Sequence, residues 1–206
     1  MKTGRFITLE GTEGAGKSTL AEGIEQWLLD QGVDLVVSRE PGGTLLGEKL
    51  RALLLDPDTG DLAVETELLL MFAARAEHIH RVILPALERG QWVLCDRFTD
   101  ASFAYQGGGR GLSFKRLEVL ENWLHPALQP DITFLLDLPV EQGLLRAGRR
   151  NAPDRFEREK QEFFSAVQGA YYRRMQQFPE RIKKIDASRS EREVLAQALS
   201  LLEPLL

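Results

Sequence analysis

The chain is poor in the features that would mark several common protein classes. Cysteine occurs once, at Cys95, so no disulfide can form within the chain and a reducing, cytoplasmic setting is expected. Basic residues are not in excess: 26 Lys and Arg stand against 31 Asp and Glu, a net charge of −5. That balance argues against a nucleic-acid polymer as partner, which needs a basic footprint, although it leaves room for one nucleotide held by a few local arginines. No apolar run reaches the roughly 18 residues of a membrane span, and MKTGRFITLEG lacks the apolar core of a secretory leader, so no membrane is expected as a partner. Asparagine occurs only at Asn122 and Asn151, neither followed by lysine, which removes the N-K-x-D guanine-reading motif of a GTPase switch. A mechanical ATPase is usually larger than 206 residues.

Short apolar segments alternate with helical patterns along the whole length. Strands are expected over 5–10 (RFITLE), 33–40 (VDLVVSRE), 92–96 (WVLCD), 131–138 (DITFLLDL) and, more weakly, 181–187 (RIKKIDA). Helices are expected after the first strand, over 45–55, over 64–89 with a break or kink at Pro85, over 113–125 and 157–177, and at the C-terminal end. The stretch RFTDASFAYQGGGRG reads as polar, glycine-rich chain. Strands that are apolar throughout fit a parallel sheet covered on both faces. The expected fold is therefore α/β, in one domain over 1–206.

Between the first strand and the first helix lies GTEGAGKST, residues 11–19, which fits G-x-x-x-x-G-K-[ST]. Gly11, Gly14 and Gly16, with small Ala15, let backbone N–H groups converge on phosphate oxygens. The helix that follows adds its free N–H groups and the positive end of its dipole. Lys17 reaches the β- and γ-phosphates of a nucleoside triphosphate and Ser18 offers a hydroxyl to Mg²⁺, with Thr12, Glu13 and Thr19 completing the loop. Glu13 is the odd member, an acid where polyanions are expected.

A small-molecule kinase fits this length, and phosphoryl transfer to a phosphorylated acceptor needs arginines where two anions meet. Arg39 and Arg97 stand at equivalent strand ends, the usual ligand edge of a parallel sheet, with Asp96 beside Arg97. Phe72 and Arg75, at i and i+3 on one helix, share a face that could grip a planar base, though Phe72 taken alone reads as core. His78, His80 and His125 have no partner at metal-ligand spacing and read as structural. Asp137 serves equally well as a second carboxylate near a metal or as a helix cap.

The segments FITLEGTEGAGKST (6–19), REPGGT (39–44), ELLLMFAARAEH (67–78), DRFTDASFAYQGGGRG (96–111), FLLDLPVEQGLLR (134–146) and DRFERE (154–159) resemble, in order and over most of the chain, the bacterial thymidylate kinases. The resemblance implies a three-layer P-loop kinase fold with a central five-stranded parallel sheet and a short lid at about 146–158. It further implies transfer of the γ-phosphoryl group of ATP to dTMP with Mg²⁺, and a homodimer. By the same resemblance Arg39 and Arg97 hold the dTMP phosphate, Phe72 stacks on thymine, Arg75 reaches a base carbonyl, and Ser102 and Gln106 lie along the base. Tyr105 lies against the sugar, Asp96 near Mg²⁺, and Glu13 at the 3′-hydroxyl of dTMP. The alternative for Glu13 is a loop acid paired with a nearby arginine. Since residues 12–15 hold no arginine, the chain is similar to the members whose transition-state arginine is in the lid, with Arg149, Arg150 and Arg155 (beside Arg146) as candidates. Kinases for dUMP or CMP, and a nucleotide-regulated binding module without transfer chemistry, are the remaining alternatives.

Overall fold

The computed structural model describes residues 4–148 and 154–206. Five strands, β1 (Phe6–Glu10), β2 (Leu35–Arg39), β3 (Trp92–Asp96), β4 (Ile132–Asp137) and β5 (Ile182–Asp186), form one parallel sheet in the order β2-β3-β1-β4-β5. Each lies inside the segment expected for it. β1, β3 and β4 are buried on both faces, as their unbroken apolar runs require. β2 is an edge strand and leaves Val37 exposed.

One face of the sheet is covered by α1 (Lys17–Asp30) and α9 (Glu191–Leu202). Leu20, Ile24 and Leu28 of α1, with Val194, Ala198 and Leu202 of α9, close over Ile7, Leu9, Phe134 and Leu136. α1 ends at Asp30 and Gly32 follows at φ 72°, the expected stop. α9 opens on a capping box between Ser190 and Glu193.

The other face carries α2 (Leu45–Leu55), capped by the Thr44 side chain, then α3 (Val64–His78) and the short α4 (Leu84–Glu88). The expected long helix is continuous in direction but changes winding. Residues Ile79–Ile83 make a π-helical turn, which accommodates the N–H missing at Pro85. After β3 come α5 (Thr99–Ser102), α6 (Phe114–Leu124), α7 (Val140–Ala147) and α8 (Gln161–Gln177).

The glycine-rich stretch after β3, to which the sequence assigns no element, is helical: α5 runs on as a π-helix over Phe103–Gly109. Glycine disfavours helix by about 1 kcal/mol per residue, but tertiary packing overrides that here. A Cβ on Gly108 would lie 2.6 Å from the Ala170 Cβ and the Ala166 carbonyl, and one on Gly109 2.4 Å from the Phe163 ring. The glycines let this segment press against α8. Behind it, buried Arg174 of α8 bonds Asp100 at 2.8 Å and stacks on Phe103, tying α8 to α5. No described helix is long and apolar enough to cross a membrane.

Candidate active site

At the carboxyl edge of the sheet, where β1 and β3 end, a cavity of about 260 Å³ opens between the glycine loop, α2, α3 and the α5 segment. That is just under the roughly 300 Å³ at which small-molecule pockets commonly begin. Its wall includes residues 13–18 of the loop together with Arg51, Met71, Arg75, Asp96, Arg97, Ser102, Tyr105 and Gln106.

The loop is shaped by backbone that side-chain-bearing residues rarely adopt. Gly11, Gly14 and Gly16 have φ 142°, 70° and 94°, and a Cβ at Gly14 would lie 2.1 Å from the Gly143 carbonyl of α7. Lys17 begins α1 and folds back to donate to the carbonyls of Gly11 (3.1 Å) and Thr12 (3.0 Å). Burial, and after it the Arg97 guanidinium, pull the Lys17 ammonium below its ordinary range. Ser18 lines the cavity mouth, whereas Gly11, Thr12 and Thr19 support the loop from outside the cavity wall.

Arg97 has the most unusual backbone of the site. At φ 68° it is the only left-handed non-glycine among the described residues. Such a conformation costs on the order of 1–3 kcal/mol and persists only where its surroundings hold it. Its N–H donates to the Leu9 carbonyl at 2.9 Å, and the next N–H, of Phe98, to the buried Glu10 carboxylate at 2.9 Å. The turn delivers the guanidinium to the cavity, where it donates to Glu13 at 2.6 Å and to the Tyr105 hydroxyl at 2.9 Å. Tyr105 in turn donates to the same Glu13 oxygen. Burial disfavours the Glu13 charge, but Arg97 and Lys17 hold its carboxyl below the usual range. The acid in the loop is thus the partner of an arginine.

The acceptor-side residues come from three elements. Arg75 of α3 is held by Glu40 (2.7 Å), the Phe98 carbonyl (2.9 Å) and Ser102 (3.0 Å), and its guanidinium lies 4.8 Å from the Phe72 ring centroid. Its Nη1 is buried at the cavity wall with no partner among the described residues. The Gln106 amide donates to Glu67 at 2.9 Å. Because an ionised carboxylate only accepts, this contact fixes which end of the amide is nitrogen and leaves the carbonyl end to the other side.

Several expected residues stand elsewhere. Arg39 is half exposed, bound to Glu48 of α2 at 2.9 Å, and does not line the cavity. Arg51, which the sequence reading passed over, does line it and donates to the Pro41 carbonyl at 3.0 Å. Burial, and then Arg39 and Arg97, lower its pKa, the signature of like charges gathered in one place. The available signal was spacing: Gly47, Arg51 and Leu55 recur every fourth residue on α2. Phe72 is turned into the core with Leu68, Phe103 and Leu117, supporting Arg75 from beneath, while Met71, four residues before Arg75, reaches the cavity wall. Arg155 does not point at the cavity either. It caps the Leu54 carbonyl at 2.8 Å and pairs with buried Glu67 at 2.6 Å. Arg149 and Arg150 lie outside the described residues. Asp137 is occupied by the Tyr172 hydroxyl (2.5 Å) and Lys184 (3.2 Å), away from the cavity. Cys95 is free and buried.

A divalent cation fits one feature of the donor side: Asp96 Oδ1 is buried without a partner among the described residues, beside the cavity that Ser18 also lines. The described residues contain no group of three or more His, Cys, Asp and Glu at metal-binding distance, so such an ion would take most of its ligands from phosphate and water.

The thymidylate kinase family model matches residues 9–198. The thymidylate kinase of Alkalilimnicola ehrlichii is 58% identical over 196 residues, 95% of this chain and 90% of that protein. The thymidylate kinase of Vesicomyosocius okutanii is 54% identical over 205 residues, the full length of both. Among solved structures, thymidylate kinase from Ehrlichia chaffeensis aligns with a TM-score of 0.80 and 32% identity, covering 97% of this chain and 99% of that one. A glycine loop joined through Glu13 to a left-handed arginine, on a sheet of this order and with relatives this similar over their whole length, leaves one assignment: the chain belongs to the thymidylate kinase family.

Proposed function

We propose that the chain transfers the γ-phosphoryl group of ATP to dTMP, giving ADP and dTDP, as a step toward dTTP. The observation that carries the choice of acceptor is the pairing of Arg75 and Gln106 on the cavity wall. The unpartnered Nη1 of Arg75 is a donor, and the amide of Gln106, fixed by Glu67, turns its acceptor end the other way. Thymine and uracil offer a carbonyl O4 beside an N3–H, which matches a donor beside an acceptor. Cytosine offers the reverse pattern. The same reading has Ser102, bonded to Arg75, border the base, Tyr105 the sugar, and Glu13 accept from a 3′-hydroxyl, since all three line the cavity.

In this reading the loop amides of 11–19, the N-terminus of α1 and Lys17 bind and orient the triphosphate. Arg97 and Arg51 meet the acceptor phosphate, with Arg39 next to them on the rim. Ser18 and Asp96 would hold Mg²⁺, which neutralises charge on the β- and γ-phosphates. The attacking phosphate oxygen is already anionic, so no side chain need remove a proton. Catalysis then rests on alignment and on cations around the transferred group, with Arg149 and Arg150 of the 146–158 lid as its further donors.

We further assign one catalytic domain over 1–206, a cytoplasmic location and a homodimer. Leu69 of α3 with Val119 and Trp123 of α6 expose apolar surface on two helices joined by the Glu65–Arg116 pair at 3.1 Å, which supports the last of these.

A coupled ADP-release assay with ATP and a panel of dTMP, dUMP, CMP, AMP and GMP tests the function. The highest kcat/KM is expected for dTMP and no turnover for CMP. Absence of dTDP, or a preference for CMP, would overturn the reading.

A further inference from the structure

Running back from Glu40 on the cavity wall, three side chains form a line that the reaction as described does not use. Ser38 Oγ, on edge strand β2, lies 2.7 Å from His78 Nε2, and His78 Nδ1 lies 2.9 Å from Glu40 Oε1. The arrangement has the order of a Ser-His-acid hydrolase triad. Hydrolysis is excluded by what covers it. A Cβ on Gly43 would lie 2.5 Å from Ser38 Oγ and 2.7 Å from His78 Nε2, so the main chain of the Pro41–Gly43 loop is seated directly on the pair and no substrate carbonyl could approach. His78 itself is fully buried.

The line does not end at Glu40. The second oxygen of that carboxylate, Oε2, accepts from Arg75 Nε at 2.7 Å. Burial opposes a charge on Glu40, but Arg75 and His78 hold its carboxyl below the usual range, so it is ionised and can only accept. The tautomer follows: the proton that faces Glu40 sits on His78 Nδ1, and Nε2 is left to Ser38. Each member fixes the next. Ser38 sets the ring, the ring sets one carboxylate oxygen, and the other oxygen sets the guanidinium. What remains of Arg75 after Glu40, the Phe98 carbonyl and Ser102 are satisfied is Nη1, the one nitrogen left without a partner among the described residues.

We propose that His78, backed by Ser38, is a positioning residue for acceptor recognition: through Glu40 it fixes the edge that Arg75 presents to the acceptor base. The inference rests on the reading above that Arg75 meets the base. His78 touches neither substrate, and its site, where α3 passes into the π-helical turn at Ile79, is fixed by backbone on both sides.

The test is steady-state kinetics on the full chain, varying ATP and dTMP in turn. His78→Phe keeps the ring volume but removes the N–H facing Glu40, which is then buried with one oxygen unpaired. It is expected to raise the dTMP KM about tenfold or more, the usual scale for losing a hydrogen bond to a buried charge, with the ATP KM within about twofold of wild type. His78→Asn, whose side-chain N–H can stand where Nδ1–H stands, should recover most of that loss. Arg75→Ala should raise the dTMP KM further, and adding His78→Phe to it should make nothing worse, because the relay then has nothing to position. Equal loss on both substrates, an unchanged dTMP KM in His78→Phe, or additive losses in the double variant would overturn the proposal. An unchanged dTMP KM in Arg75→Ala would instead overturn the base-site assignment. Should His78→Phe not fold, Ser38→Ala gives the same readout on a smaller scale, about threefold on dTMP alone, and no rise there overturns the relay.

Discussion

The loop from Gly11 to Ser18 and the pocket beyond it, the proposed donor and acceptor sides of one site, are made of different material. The loop works with backbone. Its N–H groups and its left-handed glycines lie within eight consecutive residues, and its one side-chain cation, Lys17, is held by carbonyls of the same loop. The pocket works with side chains from separate elements, held by carboxylates that are buried with them. Arg97 leans on Glu13, 84 residues away, Arg75 on Glu40, 35 away, and Gln106 on Glu67, 39 away. The difference teaches where each can fail. A backbone cradle is lost by changing the loop, whereas a side-chain pocket is lost by changing a residue that no ligand touches.

Lys17→Met sharpens the loop side of that contrast most strongly. Removing the loop's one side-chain cation, proposed above to bind the donor phosphates, is expected to lower kcat by about a thousandfold, roughly 4 kcal/mol of transition-state stabilisation, with little change in melting temperature. Single-turnover rates beside a thermal melt check it. A fall in stability as large as the fall in rate would break the contrast, because the loop would then be holding the fold as well.

Glu67→Ala probes the other side. Glu67 is buried and gathers Gln106, Arg110 and Arg155, so its loss strands two cations and an amide. Removing one partner of a buried ion pair costs about 3–5 kcal/mol, and about 3 kcal/mol is expected here because Arg110 and Arg155 keep some contact with solvent. Urea unfolding gives the number. The dTMP KM should rise with it while the ATP KM holds, and an unaffected dTMP KM would show that Gln106 needs no such support.

The smallest effect concerns the strut under Arg97. Glu10 accepts from the Phe98 N–H and from the Tyr171 hydroxyl, and burial, followed by the nearby Asp100 carboxylate, pushes its carboxyl up to about 8 from an ordinary value of 4.5. The folded chain therefore keeps a proton that the unfolded chain loses, and stability falls as pH rises between those two values. Glu10→Gln has no such proton. Its stability relative to wild type should grow by on the order of 2 kcal/mol between pH 5 and pH 6.5, read from denaturant midpoints at both pH values. A difference that does not change with pH would mean that Glu10 is charged in the folded protein and balanced by Arg97.

The glycine loop was readable because its function and its residues coincide. G-x-x-x-x-G-K-S, with a strand before it and a helix after, states its own backbone geometry. All five strands were readable because burial on both faces, or at an edge, leaves its mark on apolar content. The acceptor side was readable in part, Arg97 from its place at a strand end and Arg75 from its helix face, with the other residues given by family resemblance, and there the details moved. Arg39 ends a strand and Arg51 lies inside a helix, and the strand end alone does not say that Glu48 will hold Arg39 on the rim and leave Arg51 to face the cavity. Phe72 and Met71 are neighbours on α3, and a rotation of one residue, about 100° on a helix, decides which faces the core. Arg155 was a candidate transition-state arginine through the family resemblance alone, and the carboxylate it pairs with lies on a distant helix.

Glu13 shows where the division lies. The sequence by itself determined that an acid sits in a phosphate loop, that the loop joins a strand to a helix, and that a parallel α/β sheet carries them, because period, glycine placement and apolar runs are local properties. Only the tertiary structure decided what the acid pairs with. The turn at Arg97, left-handed and braced by Leu9 and Glu10, brings a guanidinium across β1 to Glu13, with Tyr105 closing the triangle. Charges pair by distance through space, and that distance is set by how strands stack, which is not a property of any one stretch of chain.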